Sequence, residues 1–269
     1  MLNLDKAAQV ALKAAIKGRY VLLEYFGRLS QVSEKNQAGL VSEADLESER
    51  VITEYLLAEF PAMRVLGEES DYKNPGQGPD ISERKNGLWI IDPLDGTTNY
   101  VHKFPIYCVS IGLEYDGELV VAACDVPMLN KTYSAIKGRG AYVNDQKIYV
   151  SNRQKLTESL LATGFSAYDK STEQLEIFAS LVNEVRGIRR AGSAACDLCM
   201  VAEGIFDGYW EKNLSPWDTA AGALIVTEAG GVVTSYDSDS YSPFDKTIVA
   251  GNPDIQRQIK KRIGRFYRS

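Results

Sequence analysis

The 269-residue chain is 45% hydrophobic and 25% charged, with a formal charge of −6 and a pI near 5.1. That is a globular composition, long enough for one large or two modest domains with cores of their own. The acidic balance argues against a nucleic-acid face as the main business of the protein and suits a chain that gathers acids around a cation.

The first 27 residues are apolar, but Lys6, Lys13, Lys17 and Arg19 interrupt them too often for a signal peptide or a membrane anchor. Val10, Ala14, Val21 and Tyr25 recur at helical spacing, which predicts an amphipathic surface helix. Without a targeting segment, a cytoplasmic location is expected. The polar stretch that follows, to about residue 43, predicts a loop or weak hairpin. A second helix is predicted over 42–60, with Leu46, Ile52, Tyr55, Leu56 and Phe60 on its apolar face and Pro61 ending it. A strand at 64–66 leads into Gly67-Glu68-Glu69-Ser70. Residues 71–86, rich in Gly, Pro, Asn and charge, predict a surface loop.

Residues 88–91 form a short apolar run of strand formers, read as a buried strand. Pro93 cannot donate to a ladder and biases Asp92 away from helix, so the strand is expected to stop there. From Tyr107 the pattern is antiparallel: 107–115 and 118–125 flank the hairpin turn Asp116-Gly117, and 131–136, 140–143 and 147–150 continue it. After about Ser151, strands at 160–164, 187–190, 206–210, 231–234 and 247–250 alternate with helices at 172–185, 194–202 and 217–229. A terminal helix starts at Pro253. The chain reads as mixed α+β, with helices on an antiparallel sheet first and an α/β half second. The expected division is an N-terminal α+β domain, 1–150, and a C-terminal α/β domain, 151–269.

Four cysteines are too few for a disulfide framework in a chain of this size. Cys196 and Cys199 are spaced C-x-x-C in SAACDLCMVAEG, a predicted helix with both thiols and Met200 facing the core. One such pair and a single histidine, His102, leave a structural zinc site short of ligands.

Chemistry is concentrated in WIIDPLDGTTNYVH. Asp92 and Asp95 flank a proline at the rim of a buried strand, and Gly96-Thr97-Thr98 follows. Oxygen ligands of this kind suit Mg²⁺, which takes a few carboxylates plus substrate phosphate, and the turn amides could meet the same phosphate. Four further acids bear on this cup. Glu68 follows Gly67, whose conformational freedom would aim it inward; alone it reads as an exposed turn acid. Asp218, after Trp217, begins a helix rich in Ala and Gly and also fits an N-cap. Asp45, with Ser42, resembles a capping box, and a functional role requires it to meet the Thr97 hydroxyl. Glu211 ends a strand and alone reads as a solvated acid.

Together GEES, WIIDPLDGTTNYVH, RRAGSAACDLCMVAEG and EKNLSPWDTAAGALIVTEAGG resemble the inositol monophosphatase family of Mg²⁺-dependent, lithium-sensitive phosphatases, in its bacterial form. The resemblance covers most of the chain. It implies a layered αβαβα sandwich of the sugar-phosphatase type, two or three Mg²⁺ per active site, and a homodimer. Glu68, Asp92 and the Leu94 carbonyl look like ligands of the first Mg²⁺, and Asp92, Asp95 and Asp218 like those of a second. Thr97, polarised through Asp45, matches the threonine that orients the attacking water. Together with Glu68 these two make up the expected catalytic set. Gly96 and Thr97 amides would hold the phosphate, while Gly192, Ser193, Ala194 and Glu211 would meet the alcohol half of the substrate. Lys35 matches a loop lysine only loosely. His102 is expected to pack or hydrogen-bond near the site without acting as an acid.

The implied reaction is hydrolysis of inositol 1-phosphate or a related sugar monophosphate, with no nucleic-acid or membrane partner. Fructose-1,6-bisphosphatase, histidinol-phosphate phosphatase and 3′(2′),5′-bisphosphate nucleotidase share the metal frame and stay open, although Thr98-Asn99 disfavours the nucleotidase. A non-catalytic, regulatory binding protein on the same fold is the alternative from another class. Four converging acids argue against it, since they repel one another unless cations intervene.

Overall fold

The computed structural model describes residues 2–34, 40–73, 84–165 and 172–267. Lys35 and most of the loop predicted at 71–86 lie outside the described residues.

Helix α1 (Leu4–Tyr25) starts where the Asn3 side chain accepts the Lys6 N–H at 3.0 Å, a standard N-cap. Its buried stripe runs Ala7, Ala11, Ala14, Ala15 and Gly18, small residues that let it lie close on the sheet beneath, and ends at the larger Leu22. The polar stretch behind it forms the hairpin β1 (Val32–Glu34) and β2 (Leu40–Ser42). Helix α2 (Glu43–Glu59) follows, opened by a capping box between Ser42 and Asp45. Its buried face departs from expectation. Ile52 and Leu56 are buried, but Leu46 is 40% exposed, and the stripe is completed by Asp45, Ser48 and Glu49.

A seven-stranded sheet comes next, in the order β3 (Arg64–Gly67), β4 (Leu88–Asp95), β5 (Cys108–Tyr115), β6 (Glu118–Val126), β7 (Lys131–Ile136), β8 (Gly140–Val143) and β9 (Gln146–Ile148). Only β3 and β4 pair in parallel; the other neighbours are antiparallel. Short helices α3 (Glu68–Lys73) and α4 (Thr97–Val101) leave the ends of β3 and β4. Asp116 and Gly117 both take positive φ at the β5–β6 turn, as a tight hairpin requires.

The second half builds a five-stranded sheet from β10 (Leu160–Thr163), β11 (Gly187–Arg189), β12 (Gly208–Lys212), β13 (Val232–Thr234) and β14 (Thr247–Gly251), in the order β11-β10-β12-β14-β13. Its helices are α5 (Glu173–Val182), α6 (Ala194–Ala202), α7 (Pro216–Glu228) and α8 (Pro253–Ile263). Helices α1 and α2 cover one face of the large sheet. Helices α6 and α7 fill the space between the sheets, and α5 and α8 cover the far face of the small one. This is the αβαβα layering that the family resemblance implies. The middle layer is tight: a Cβ on Gly112 of β5 would stand 2.9 Å from Ala220, and one on Gly222 would stand 2.6 Å from Leu198. The small residues of α7 therefore bring helix, neighbouring helix and sheet into near-contact.

Strand β4 does not stop at Pro93. It pairs Asp92 with Ser110 and then Asp95 with Cys108, a slip of one residue across Pro93-Leu94. Directly opposed residues of an antiparallel pair share a face, as do residues two apart on one strand. Ser110 and Cys108 share a face, so the bulge turns Asp92 and Asp95 to the same side. Without it, residues three apart would point to opposite faces. Proline needs no ladder partner inside the bulge, which is where a sheet tolerates it.

Candidate active site

The face that Asp92 and Asp95 share looks into the middle layer, at the N-terminal ends of α6 and α7. Asp92 is 1% exposed, and its Oδ1 accepts the Leu94 N–H at 2.9 Å. Burial, then the charges of Glu68, Asp95 and Asp218, push its pKa well above the usual carboxylate range. Asp95 is held from below. The Ser193 hydroxyl and the Ala195 N–H both donate to its Oδ2 at 2.7 Å. Burial outweighs those bonds, and Glu68 adds to it, so its pKa is pushed up to about 6. Asp218 accepts the Ser215 N–H at 2.7 Å, the N-cap role, and is nonetheless raised well above its ordinary value by burial, Asp95 and Glu68. The cap and the shared charge cluster are therefore compatible.

Glu68, Asp92, Asp95 and Asp218 come from the ends of β3, β4 and α7, and the charge of Glu68 reaches all three aspartates. Among the described residues no three His, Cys, Asp or Glu side chains already stand close enough together to hold a metal ion. One oxygen each of Asp92, Asp95 and Asp218 accepts from protein donors. An all-oxygen donor set whose carboxylates repel one another fits a hard divalent cation.

Asp45, 0% exposed on the first turn of α2, meets Thr97 across 52 residues: the Thr97 hydroxyl lies 3.0 Å from Asp45 Oδ1 and 3.1 Å from the Leu94 carbonyl. The Leu94 carbonyl thus faces Thr97, within the same loop as the acids. Gly96 sits at φ +97°, and a Cβ there would be 3.0 Å from the Ile106 carbonyl, so only glycine fits this turn without strain. Asn99 closes the loop by donating to the carbonyls of Ile106 and Ala191, at 2.7 and 2.8 Å.

Residues 3–266 match the model of the inositol monophosphatase family. The chain is 42% identical to the fructose-1,6-bisphosphatase/inositol-1-monophosphatase of Aquifex aeolicus strain VF5, over 97% of this chain and 98% of the relative. It is 40% identical to the Nus factor SuhB of Pseudomonas aeruginosa, over 90% of each. The crystal structure of the extragenic suppressor protein suhB from Bartonella henselae superposes with a TM-score of 0.87 at 37% identity, covering 95% of this chain and 97% of that one. The chain belongs to the inositol monophosphatase family.

Against the family pattern, several side chains stand otherwise than the sequence suggested. Gly67 is an ordinary strand residue, absent from the positive-φ positions. Its role is room: a Cβ there would be 2.5 Å from Glu49 Oε2. Ser193 and Ala194 are buried, and the Ser193 hydroxyl turns inward to Asp95, leaving half-buried Gly192, at φ +86°, the most open of the three. His102 is exposed at the end of α4. Glu211 is half-buried and takes the Tyr209 hydroxyl, and a side chain at Gly164 would collide with its carboxylate. Burial pushes its pKa up to about 7 against the Tyr209 bond; Asp95 raises it further and Arg190 lowers it. The sequence gives no role to Arg190, which also donates to the Phe165 carbonyl at 3.0 Å. Nor does it foretell that Cys108 and Cys124 join Cys196 and Cys199 in one buried thiol group behind Asp95.

Proposed function

We propose that this family member is a Mg²⁺-dependent phosphomonoesterase acting on inositol 1-phosphate or a closely related sugar monophosphate. One observation carries the reading: the charges of Glu68, Asp95 and Asp218 act on buried Asp92, beside a threonine whose hydroxyl meets a fifth acid, Asp45. Glu68, Asp92, Asp95, Asp218 and the Leu94 carbonyl are the groups that would hold two or three Mg²⁺. Bound there, the cations supply charge neutralisation at the phosphate and an acidified water.

The chain's own groups do the positioning. The single proton of the Thr97 hydroxyl is committed to Asp45 or to the Leu94 carbonyl. Its free lone pairs can then accept a hydrogen from the attacking water and orient its oxygen. The amides of Gly96 and Thr97, at the turn, would meet the phosphate oxygens. Ionised Glu211 accepts from the hydroxyls of the alcohol half beside Gly192. Asp95, fixed by Ser193 and Ala195, keeps its other oxygen for the cation. We further propose a cytoplasmic homodimer; among the described residues no helix is long and apolar enough to cross a membrane.

The Aquifex relative's name covers two activities, so fructose 1,6-bisphosphate is the first competing substrate. The relatives called Nus factor SuhB support a second reading, in which the same fold serves as a binding protein. Phosphate release separates these readings. A panel of inositol 1-phosphate, fructose 1,6-bisphosphate, histidinol phosphate and a nucleoside bisphosphate is assayed with Mg²⁺, with EDTA and with lithium. Mg²⁺-dependent, lithium-inhibited release, fastest from inositol 1-phosphate, is expected. No release from any of the four at saturating Mg²⁺ refutes the enzyme and leaves the binding role.

A further inference from the structure

Three polar side chains occupy the buried stripe of α2 at the end nearest the acids, where a helix on a sheet normally presents apolar groups. Asp45 and Ser48 are 0% exposed and Glu49 is 6% exposed. Burying a hydroxyl or a carboxylate is costly unless its hydrogen bonds are met, so the partners matter. Asp45 meets Thr97, as described. Ser48 Oγ donates to the Pro93 carbonyl at 2.9 Å, a backbone group that the bulge leaves without a ladder partner. Glu49 Oε2 accepts the Glu69 N–H at 2.8 Å, and its Oε1 accepts the Ser70 hydroxyl. Gly67, having no side chain, lets that carboxylate lie against the turn. One helix face therefore grips three separate pieces of chain: the turn that carries Glu68, the bulge between Asp92 and Asp95, and Thr97.

We infer that α2 is a polar strut, in which Ser48 and Glu49 fix the spacing between the Glu68 turn and the Asp92–Asp95 pair and so set how tightly the site holds a divalent cation. The inference rests on the reading of those acids as cation ligands. Its physical basis is their repulsion. Glu68 and Asp92 push each other apart, and a turn held only by its own backbone would relax outward. A cation would then have to select a minor, closed population, and its apparent affinity would fall by that fraction. Groups that orient ligands from behind typically change metal affinity by 10–100-fold when removed. Glu49 and Ser48 are positioning residues; neither needs to touch the cation or the substrate.

Calorimetric titration of the full chain with Mg²⁺ alone, beside thermal unfolding in EDTA, tests this. Glu49→Asp keeps the charge but is one methylene too short to reach both the Glu69 amide and Ser70. Ser48→Ala removes a donor and no charge. Gly67→Ala presses the Glu49 carboxylate off the turn. Each is expected to weaken Mg²⁺ binding, about tenfold for Glu49→Asp and several-fold for the other two. Wild-type affinity in Glu49→Asp and Ser48→Ala overturns the strut, even if their unfolding temperatures fall, because the bonds would then serve stability alone. A loss confined to Glu49→Gln, with Glu49→Asp normal, also overturns it and assigns the effect to charge. Failure of the wild type to bind Mg²⁺ sinks the cation-site reading itself, a result told apart because it precedes any variant.

Discussion

A carboxylate buried beside three others is a poor contributor to folding and a good ligand, and Asp92 is the extreme case here. Asp92→Asn removes one repelling charge and keeps the Oδ1 that accepts the Leu94 amide. The fold is expected to persist by circular dichroism, while Mg²⁺ binding and nearly all turnover are lost. Full activity of this variant at saturating Mg²⁺ contradicts the assignment. Glu211 makes a separate prediction. With its pKa pushed up to about 7, it accepts substrate hydroxyls only when ionised, so KM for inositol 1-phosphate should rise as pH falls through about 7. Glu211→Gln should raise KM at high pH and flatten this pH dependence; an unchanged profile removes Glu211 from the alcohol subsite. Asp92 and Asp218 stand out in the sequence only through the motifs around them, because an acid at a strand end or a helix start has an ordinary local explanation. Ser48 and Glu49 do not, since on a helix they look like ordinary solvent-facing positions until the covering sheet is known.

At the scale of elements, β4 shows how local rules and tertiary context divide the work. Proline predicts an interruption, and one occurs, but as a bulge inside a continuing strand, because β5 supplies partners on both sides of it. That interruption turns two acids to one face and leaves the Pro93 carbonyl for Ser48. The turn after it depends on Gly96. Gly96→Ala is expected to destabilise by at least roughly 1–2 kcal/mol from the left-handed conformation alone. The approach to the Ile106 carbonyl adds to this, because backbone cannot step aside cheaply. Urea unfolding reads the stability, and a parallel loss of Mg²⁺ affinity is expected because the loop carries both acids. A stability within experimental error of wild type contradicts the strained turn. In α2 the apolar pattern placed Leu46 on the buried face, where the structure puts Asp45, Ser48 and Glu49. Hydropathy cannot distinguish a buried polar residue with partners from an exposed one.

For the molecule as a whole, the gathered acids tie stability to pH. Asp92, Asp95 and Asp218 all have raised pKa values, so the folded chain without cation binds protons more tightly than the unfolded chain. Their favourable contribution is complete below the ordinary carboxylate pKa and is lost as pH rises through the folded values, about 6 for Asp95. In EDTA, the stabilisation produced by Asp92→Asn should therefore grow between about pH 5 and pH 8, reaching a few degrees in Tm, since 1 kcal/mol moves a chain of this size by roughly 2–4 °C. Mg²⁺ should raise the wild-type Tm most at the upper end of that range and do little for the variant. A Tm difference between variant and wild type that shrinks with pH refutes the linkage. Hydrophobic period and turn chemistry, read from the sequence alone, determined most of the helices and strands, and four motifs determined the family, because these are local properties of residue type and spacing. The register slip in β4, the Asp45–Thr97 contact, the inward turn of Ser193 and the polar face of α2 were decided only by the tertiary structure. Each joins residues distant along the chain, and their partners exist only once the helices and strands have packed together.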